Sequence, residues 1–306
     1  MSKKIFVTGA CGQIGVDVVN ELLNRKYEVI ATDLCELCDY DLLTKFNDEI
    51  MYFQLDIKNE DILRDVINKV TPDIIIHCAA WTSVDLAEFE ENQELVRKIN
   101  VESTKVLASC AKDLDIKIVY ISTDYVFDGE GVDPWKPDCN NYNPLNFYGL
   151  TKLYGEMKIT NALEKYFIVR TSWVFGKNGK NFIKTILELS KVHNEIKVIN
   201  DQIGSPTYSF DLSRLIVDMI ETDKYGYYHI TNEGEYISWY ELAKEVFFQK
   251  EISTKIIPVS TEQYGVNKAI RPLNSRLNKE KIIENGFKPL PVWKDAVSRF
   301  LKELEV

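Results

Sequence analysis

No stretch of this chain approaches the ~18 consecutive apolar residues that a membrane-spanning helix needs, so no membrane span is expected. Met1-Ser2-Lys3-Lys4 runs straight into an apolar segment without the hydrophobic region and cleavage site of a signal peptide. A soluble cytoplasmic protein is the expectation. Cysteine is sparse: six in 306 residues do not make a disulfide framework. Cys35-x-x-Cys38 is the one close pair, and with no second pair and no histidine nearby it argues against a zinc site. Basic runs are missing too. Acidic residues outnumber basic ones 47 to 37, giving a net charge of −10, so nucleic acid is not an expected partner. That charge still permits a small anionic ligand, which needs local donors alone.

What is present is apolar material enough for a large core, 45% of the chain, in one large or two intimately joined domains. Lys4–Thr8 reads as a buried strand. It feeds Gly9-Ala10-Cys11-Gly12-Gln13-Ile14-Gly15 and then a helix with Ile14, Val18, Val19, Leu22 and Leu23 on one face. Strand, glycine loop and helix form the context of a dinucleotide-binding loop, in which backbone approaches a pyrophosphate and the helix N-terminus offers free N–H groups. The spacing here is G-x-x-G-x-x-G. A second strand, Glu28–Thr32, ends in Asp33, which either accepts from adenosine ribose hydroxyls or is a solvated strand-end carboxylate. A carboxylate there repels a 2′-phosphate, so NADH is expected ahead of NADPH. Leu34–Glu49 reads as loop and short helix, and Met51–Leu55 as a third strand leading to Asp56-Ile57. Asn59 caps a following helix. Asp73–Ala80 reads as a buried parallel strand ending in small residues, Ala79 and Ala80, before Trp81 and Thr82. His77 within it reads as a satisfied core histidine. One long helix, about Glu91–Asp113, carries Asn100 as a structural amide or a proton-relay member.

The fifth strand, Ile116–Ser122, includes Ile121 and leads into Thr123, Asp124 and Tyr125. Ligands of open α/β sheets bind beyond the C-terminal strand ends, where this hydroxyl and carboxylate lie. A loop then leads to Tyr148-Gly149-Leu150-Thr151-Lys152 and a helix expected over Leu150–Lys165. Four residues apart, Tyr148 and Lys152 share a helix face. They are either an ordinary surface pair or a phenol and an ammonium acting on one substrate oxygen. In the second case the cation is expected to lower the phenol's pKa toward neutrality. Phe167–Thr171 makes a sixth strand. Beyond it the strand–helix alternation weakens, through helices at Asn181–Lys191 and Phe210–Glu221 and strands at Ile196–Asn200, Tyr227–Thr231 and Ile256–Val259. Ser238 to Glu241 fits a capping box, and Val292–Leu304 a closing helix. The fold class is α/β: a doubly wound parallel sheet of Rossmann type over 1–175, with a smaller α/β substrate-binding lobe over 176–306 from which some segments rejoin the sheet.

Taken together, Thr8-Gly9-x-x-Gly12-Gln13-x-Gly15, Ser122-Thr123-Asp124-Tyr125-Val126-Phe127, Tyr148-Gly149-x-Thr151-Lys152, Arg170-Thr171-Ser172-Trp173-Val174 and Asn200-Asp201-Gln202-x-Gly204-x-Pro206-Thr207 closely resemble the dTDP-4-dehydrorhamnose reductases. These are extended short-chain dehydrogenases/reductases. Arg271-Pro272-x-Asn274-Ser275 carries the resemblance almost to the end of the chain. It implies reduction of a dTDP-linked 4-keto-6-deoxysugar to dTDP-L-rhamnose with a reduced nicotinamide cofactor. Tyr148 matches the family's proton donor, Lys152 the lysine that holds the nicotinamide ribose, and Thr123 the hydroxyl bonding the same ketone oxygen. Asp124 and Trp173 match sugar-nucleotide contacts. Gly12, Gln13, Ile14, Asp33, Asp56, Ile57, Ala80, Trp81, Thr82 and Ile121 fall at cofactor positions, with Gly9, Gly15 and Ala79 beside them. Trp81 stands where relatives often have His, and His77 where they often have Asn. Arg271 either meets the substrate diphosphate or forms an ordinary salt bridge.

Some members of that family hold magnesium at a dimer interface. Asp17 falls near one such position, but the remaining ligands are not traceable and no metal is assigned. A homodimer is an expectation on the same footing. Tyr125 stands where 4,6-dehydratases of the same fold carry Glu, which argues against that reaction. The regulatory β subunit of methionine adenosyltransferase is a non-catalytic alternative, but it has no need of an intact Thr123/Tyr148/Lys152 set. A reductase of another nucleotide-linked 4-keto-deoxysugar is the closer alternative.

Overall fold

The computed structural model describes residues 2–36, 49–265 and 268–305. Cys38 and most of the loop expected over Leu34–Glu49 lie outside them. The central feature is a seven-stranded sheet. Its first six strands in chain order are β1 (Lys4–Thr8), β2 (Glu28–Asp33), β3 (Ile50–Gln54), β4 (Ile74–His77), β5 (Lys117–Thr123) and β6 (Tyr166–Thr171). In space, Gly226–His229 lies at one edge, followed by β6, β5, β4, β1, β2 and β3, all parallel. The chain winds outward one way from β1 through β2 and β3, then returns to place β4 on β1's other side. A crevice therefore opens beyond the C-terminal ends of β1 and β4.

The strands are apolar on both faces because helices cover both. Ile5 and Val7, Val29 and Ala31, Ile74 and Ile76, Val119 and Ile121 pack on one side with helices Gln13–Asn24 and Ser209–Ile220. The alternate residues Phe6, Ile30, Ile75, Ile118 and Tyr120 pack on the other with helices Glu60–Val70 and Ser103–Asp113. This division follows from the two-residue period of a strand. Asn59 caps its helix by accepting from the Ile62 N–H at 3.2 Å.

A second core gathers helices Phe182–Ser190, Trp239–Gln249 and Trp293–Glu303 around Phe175, Tyr208, Trp293 and Phe300. Beside it Glu195–Ile199 pairs in parallel with Lys255–Val259. Ser238 and Glu241 form the reciprocal capping box expected of them.

Two helical expectations need correction. The single helix over Glu91–Asp113 is three segments, Glu90–Arg97, a π-helical turn at Lys98–Glu102, and Ser103–Asp113. The widened turn contains Asn100, whose side chain bonds to the backbone of Trp81 and to Thr151 across the fold. The helix expected over Leu150–Lys165 spans Phe147–Thr160. Asn146 starts it by accepting from the Gly149 N–H at 2.8 Å, so Tyr148 lies inside its first turn. The strand expected over Asp73–Ala80 forms ladder pairs over Ile74–His77 alone, leaving Ala79 and Ala80 in the loop. Among the described residues no helix is long and apolar enough to cross a membrane.

Candidate active site

At the end of β1 the backbone and the following helix come into close contact. A Cβ on Gly15 would lie 1.9 Å from the Gly9 carbonyl oxygen, and one on Gly9 would lie 2.6 Å from the Ala79 nitrogen. Side chains there would separate the loop from both β4 and the helix. The Gln13–Asn24 helix begins at Gly12 with no side-chain cap and no acidic residue in its first turn. Its N-terminal N–H groups and dipole can therefore serve an anion. Asp33 closes this corner: its Oδ2 accepts from the Cys11 N–H at 2.8 Å and its Oδ1 from the Leu34 N–H at 2.7 Å.

The cleft above these strand ends measures about 1100 Å³. Gly9, Gly12, Gln13, Ile14, Gly15, Asp33, Asp56, Ile57, Ala79, Ala80, Trp81, Thr82 and Ile121 all line it. So do Thr123, Asp124, Tyr148, Lys152, Trp173 and Arg271. The fold thus brings to one cavity every residue that the sequence assigned to cofactor, catalysis or substrate; Asn100, the alternative proton-relay member, does not line it. Two other cavities, about 640 and 770 Å³, are lined by none of them.

Within the cleft, β5 delivers Thr123 and the helix from Phe147 delivers Tyr148 and Lys152. Thr123 donates to Asp124 Oδ1 at 3.0 Å and accepts from the Tyr125 N–H at 3.2 Å. It also lowers the pKa of Tyr148, as a donor to the phenolate would. A hydroxyl has one proton, so Thr123 can serve the Asp124 carboxylate or a Tyr148 phenolate, and not both at once. Asp124 is buried, its Oδ2 has no partner, and burial raises its pKa to about 6.

The expected electrostatics of the tyrosine–lysine pair need correction. Burial, then the Asp124 charge, push the Tyr148 phenol above its ordinary range, and the Thr123 hydrogen bond offsets only part of this. Lys152 does not pull it down. Its ammonium sits 3.9 Å from the centre of the Tyr120 ring, and burial lowers its own pKa to about 7. Desolvation disfavours whichever form is charged, so it separates the two pKa values in directions opposite to those of a solvated ion pair.

Beneath the site, Glu156 and Arg170 form a buried ion pair, with a second bond from Arg170 Nε to Glu156 Oε1 at 2.9 Å. Ser122 donates to the same carboxylate at 2.5 Å, fastening β5 to the helix of Tyr148. Arg170 is therefore a structural member of its motif. His77 is satisfied by Thr8 at 2.7 Å and Thr104 at 3.0 Å, as a core histidine should be. Arg271 pairs with Asp85 through two nitrogens, at 2.5 and 3.2 Å. Asp17 accepts from Ser209 at 2.5 Å, and burial raises its pKa to about 7.

Trp239 also lines the cleft, with its ring stacked on Trp173 at 3.8 Å between centroids. The sequence marked it only as part of a capping box. Asp85 was likewise not singled out. Each owes its place to a contact between distant segments, and no local pattern announces it.

A family model described as the RmlD substrate binding domain matches residues 3–306. The spore coat polysaccharide biosynthesis protein SpsK of Bacillus subtilis is 36% identical over 306 residues, 98% of this chain and 97% of that protein. The dTDP-4-dehydrorhamnose reductase of Escherichia coli is 35% identical over 315 residues, 98% and 97% of the two chains. A crystal structure of dTDP-4-dehydrorhamnose reductase from Bacillus anthracis in complex with NADP has a TM-score of 0.87 to this fold. It is 39% identical, and the match covers 99% of this chain and all of that one. The chain thus belongs to the dTDP-4-dehydrorhamnose reductase family of extended short-chain dehydrogenases/reductases.

Proposed function

We propose that this chain reduces the 4-keto group of dTDP-4-dehydro-6-deoxy-L-mannose to give dTDP-L-rhamnose. The observation that carries this reading is the convergence of Thr123, Tyr148 and Lys152 on the cleft that also holds the glycine loop. The residues fit a dinucleotide: the Gly9/Gly15 approach leaves room for a pyrophosphate, and Asp33 stands ready for ribose hydroxyls. When bound, the reduced nicotinamide supplies hydride to the ketone carbon. Tyr148 protonates the ketone oxygen as negative charge grows there, a role worth roughly 10²–10⁴ in rate. Thr123 turns its hydroxyl from Asp124 toward the same charge. Lys152 holds the nicotinamide ribose. Asp124, Trp173 and Arg271 meet the sugar nucleotide. In this reading residues 1–175, rejoined by the Ser209–His229 segment, carry the dinucleotide, and the rest of 176–306 covers the substrate. The acting form is cytoplasmic, and a homodimer is part of the proposal.

Asp33 favours NADH; the relative crystallised with NADP makes the comparison with NADPH necessary. The test follows loss of reduced-nicotinamide absorbance with each cofactor and the dTDP-4-keto-6-deoxy-L-sugar generated in situ. Faster oxidation of NADH, with dTDP-L-rhamnose as product, is expected. Preference for NADPH would discard the Asp33 argument and keep the reductase. Cofactor binding without oxidation would favour a non-catalytic subunit or another 4-keto-deoxysugar.

A further inference from the structure

Cys11, Asp33 and Cys35 come from separate points on the chain and meet at one corner of the fold. Their ligating atoms all lie within 4.8 Å of one another. Cys11 belongs to the glycine loop, Asp33 ends β2, and Cys35 follows just beyond it. Tyr52 of β3 packs against both sulfurs, its hydroxyl 3.6 Å from Cys11 Sγ and 3.9 Å from Cys35 Sγ. That hydroxyl donates to the Cys35 carbonyl at 2.6 Å, which ties the Cys35 backbone to the sheet. Asp33 is oriented by its two backbone N–H donors, at 2.8 and 2.7 Å. An ionised carboxylate offers about four lone-pair sites, so acceptor capacity remains. Such outer hydrogen bonds are what aim a metal ligand.

Two sulfurs bound at ~2.3 Å to one tetrahedral ion stand roughly 3.8 Å apart. The trio is already within 4.8 Å, so closure by about 1 Å completes it. Two thiolates and a carboxylate suit a thiophilic cation of the zinc class, whereas magnesium prefers oxygen alone. Cys11 and Asp33 also line the dinucleotide cleft.

We propose that Cys11, Asp33 and Cys35 bind one zinc-class cation, and that this cation and the dinucleotide exclude one another. The exclusion rests on the reading of Asp33 as the adenosine-ribose residue; the metal site itself does not. Asp33 cannot serve a cation and a ribose at once, and a cation drawing Cys11 toward Cys35 alters the glycine loop. Ion binding displaces thiol protons, so affinity rises with pH.

Equilibrium dialysis of the full chain against zinc reads the site without turnover, and the ultraviolet thiolate-to-metal band reads it with cadmium. One ion per chain is expected, undisturbed by excess magnesium. Cys35→Ser should weaken binding at least about tenfold, and Cys11→Ser likewise. Cys35 lies outside the assigned cofactor positions, so Cys35→Ser should bind NADH as the parent does. Zinc should then raise the apparent Kd for NADH, followed by its fluorescence, in the parent and not in Cys35→Ser. No stoichiometric zinc, or zinc binding unchanged in both variants, overturns the site. Zinc bound through both cysteines without effect on NADH affinity overturns the exclusion. Failure of the metal-free chain to bind either dinucleotide overturns the functional reading and the exclusion with it, while dialysis decides the site alone.

Discussion

The ammonium of Lys152 lies 3.9 Å from the ring centroid of Tyr120, so a buried cation rests on an aromatic face rather than against a carboxylate. The nearby carboxylate of Glu156 is committed to Arg170. Burial brings the Lys152 pKa to about 7, whereas an unfolded lysine titrates near ~10.4. Between those values the unfolded chain binds more protons, so the contribution of Lys152 to stability falls as pH drops toward 7. Lys152→Met should remove that dependence, measured by urea unfolding at pH 7 and pH 9. The same variant should lose dinucleotide affinity.

Tyr148→Phe should keep dinucleotide binding and lose about 10²–10⁴ in turnover. Thr123→Val should lose about 10²–10³, because one donor to the developing charge disappears. Steady-state rates beside NADH titrations separate the two effects. Turnover of Tyr148→Phe at the parent rate would refute the assignment.

Arg170→Met should destabilise the chain by about 3–5 kcal/mol, since it leaves the Glu156 carboxylate buried and unpaired. Replacing both partners, Arg170→Met with Glu156→Leu, should recover much of that loss. Urea midpoints of the three proteins provide the check. No recovery in the double variant would mean that the pair's other partners, Ser122 and Tyr142, dominate.

Asp17 carries a folded pKa of about 7 against an ordinary 3.8, because burial penalises its charge. A raised carboxyl pKa means that the native state holds a proton the unfolded chain releases. Its contribution to stability is therefore full below the ordinary value and is lost as pH rises through about 7. Asp17→Asn should flatten the stability profile between those limits, by up to about 1.4 kcal/mol per pH unit. Unfolding curves across that range measure the difference.

Trp239→Ala removes the ring stacked on Trp173. The expected result is a roughly 2- to 10-fold rise in KM for the sugar nucleotide, with NADH affinity unchanged. An equal loss in both would place Trp239 in dinucleotide binding instead.

Much of the sheet was legible because strands such as β1 and β4 are short apolar runs and helices such as Gln13–Asn24 and Glu60–Val70 announce themselves by a periodic face or a cap. Gly9 and Gly15 were legible for the same local reason. The boundaries that shifted did so through partners remote in sequence. Asn100 opens a π-turn while bonding to Trp81 and Thr151, and Ala79 leaves the β4 ladder to approach Gly9. Two-residue strands such as Val174–Phe175 and Ile203–Gly204 are too short to carry a pattern. The pKa order of Tyr148 and Lys152 was misread because spacing reveals proximity, whereas burial decides the sign. The Cys11/Asp33/Cys35 cluster was not legible because Cys11 and Cys35 meet only once β1 and β2 are paired.

The return of helix Ser209–Ile220 and strand Gly226–His229 to the main sheet has a consequence for modularity. The lobe's chain leaves the sheet after β6 and comes back to pair with that same strand, at Tyr227 opposite Ile168. A fragment ending near residue 175 would bare one edge of β6 and the apolar face that Leu212, Leu215 and Ile216 cover. Residues 1–175 are thus not a transplantable unit. Inheritance, circular permutation and any split-protein design would have to carry that returning segment with them.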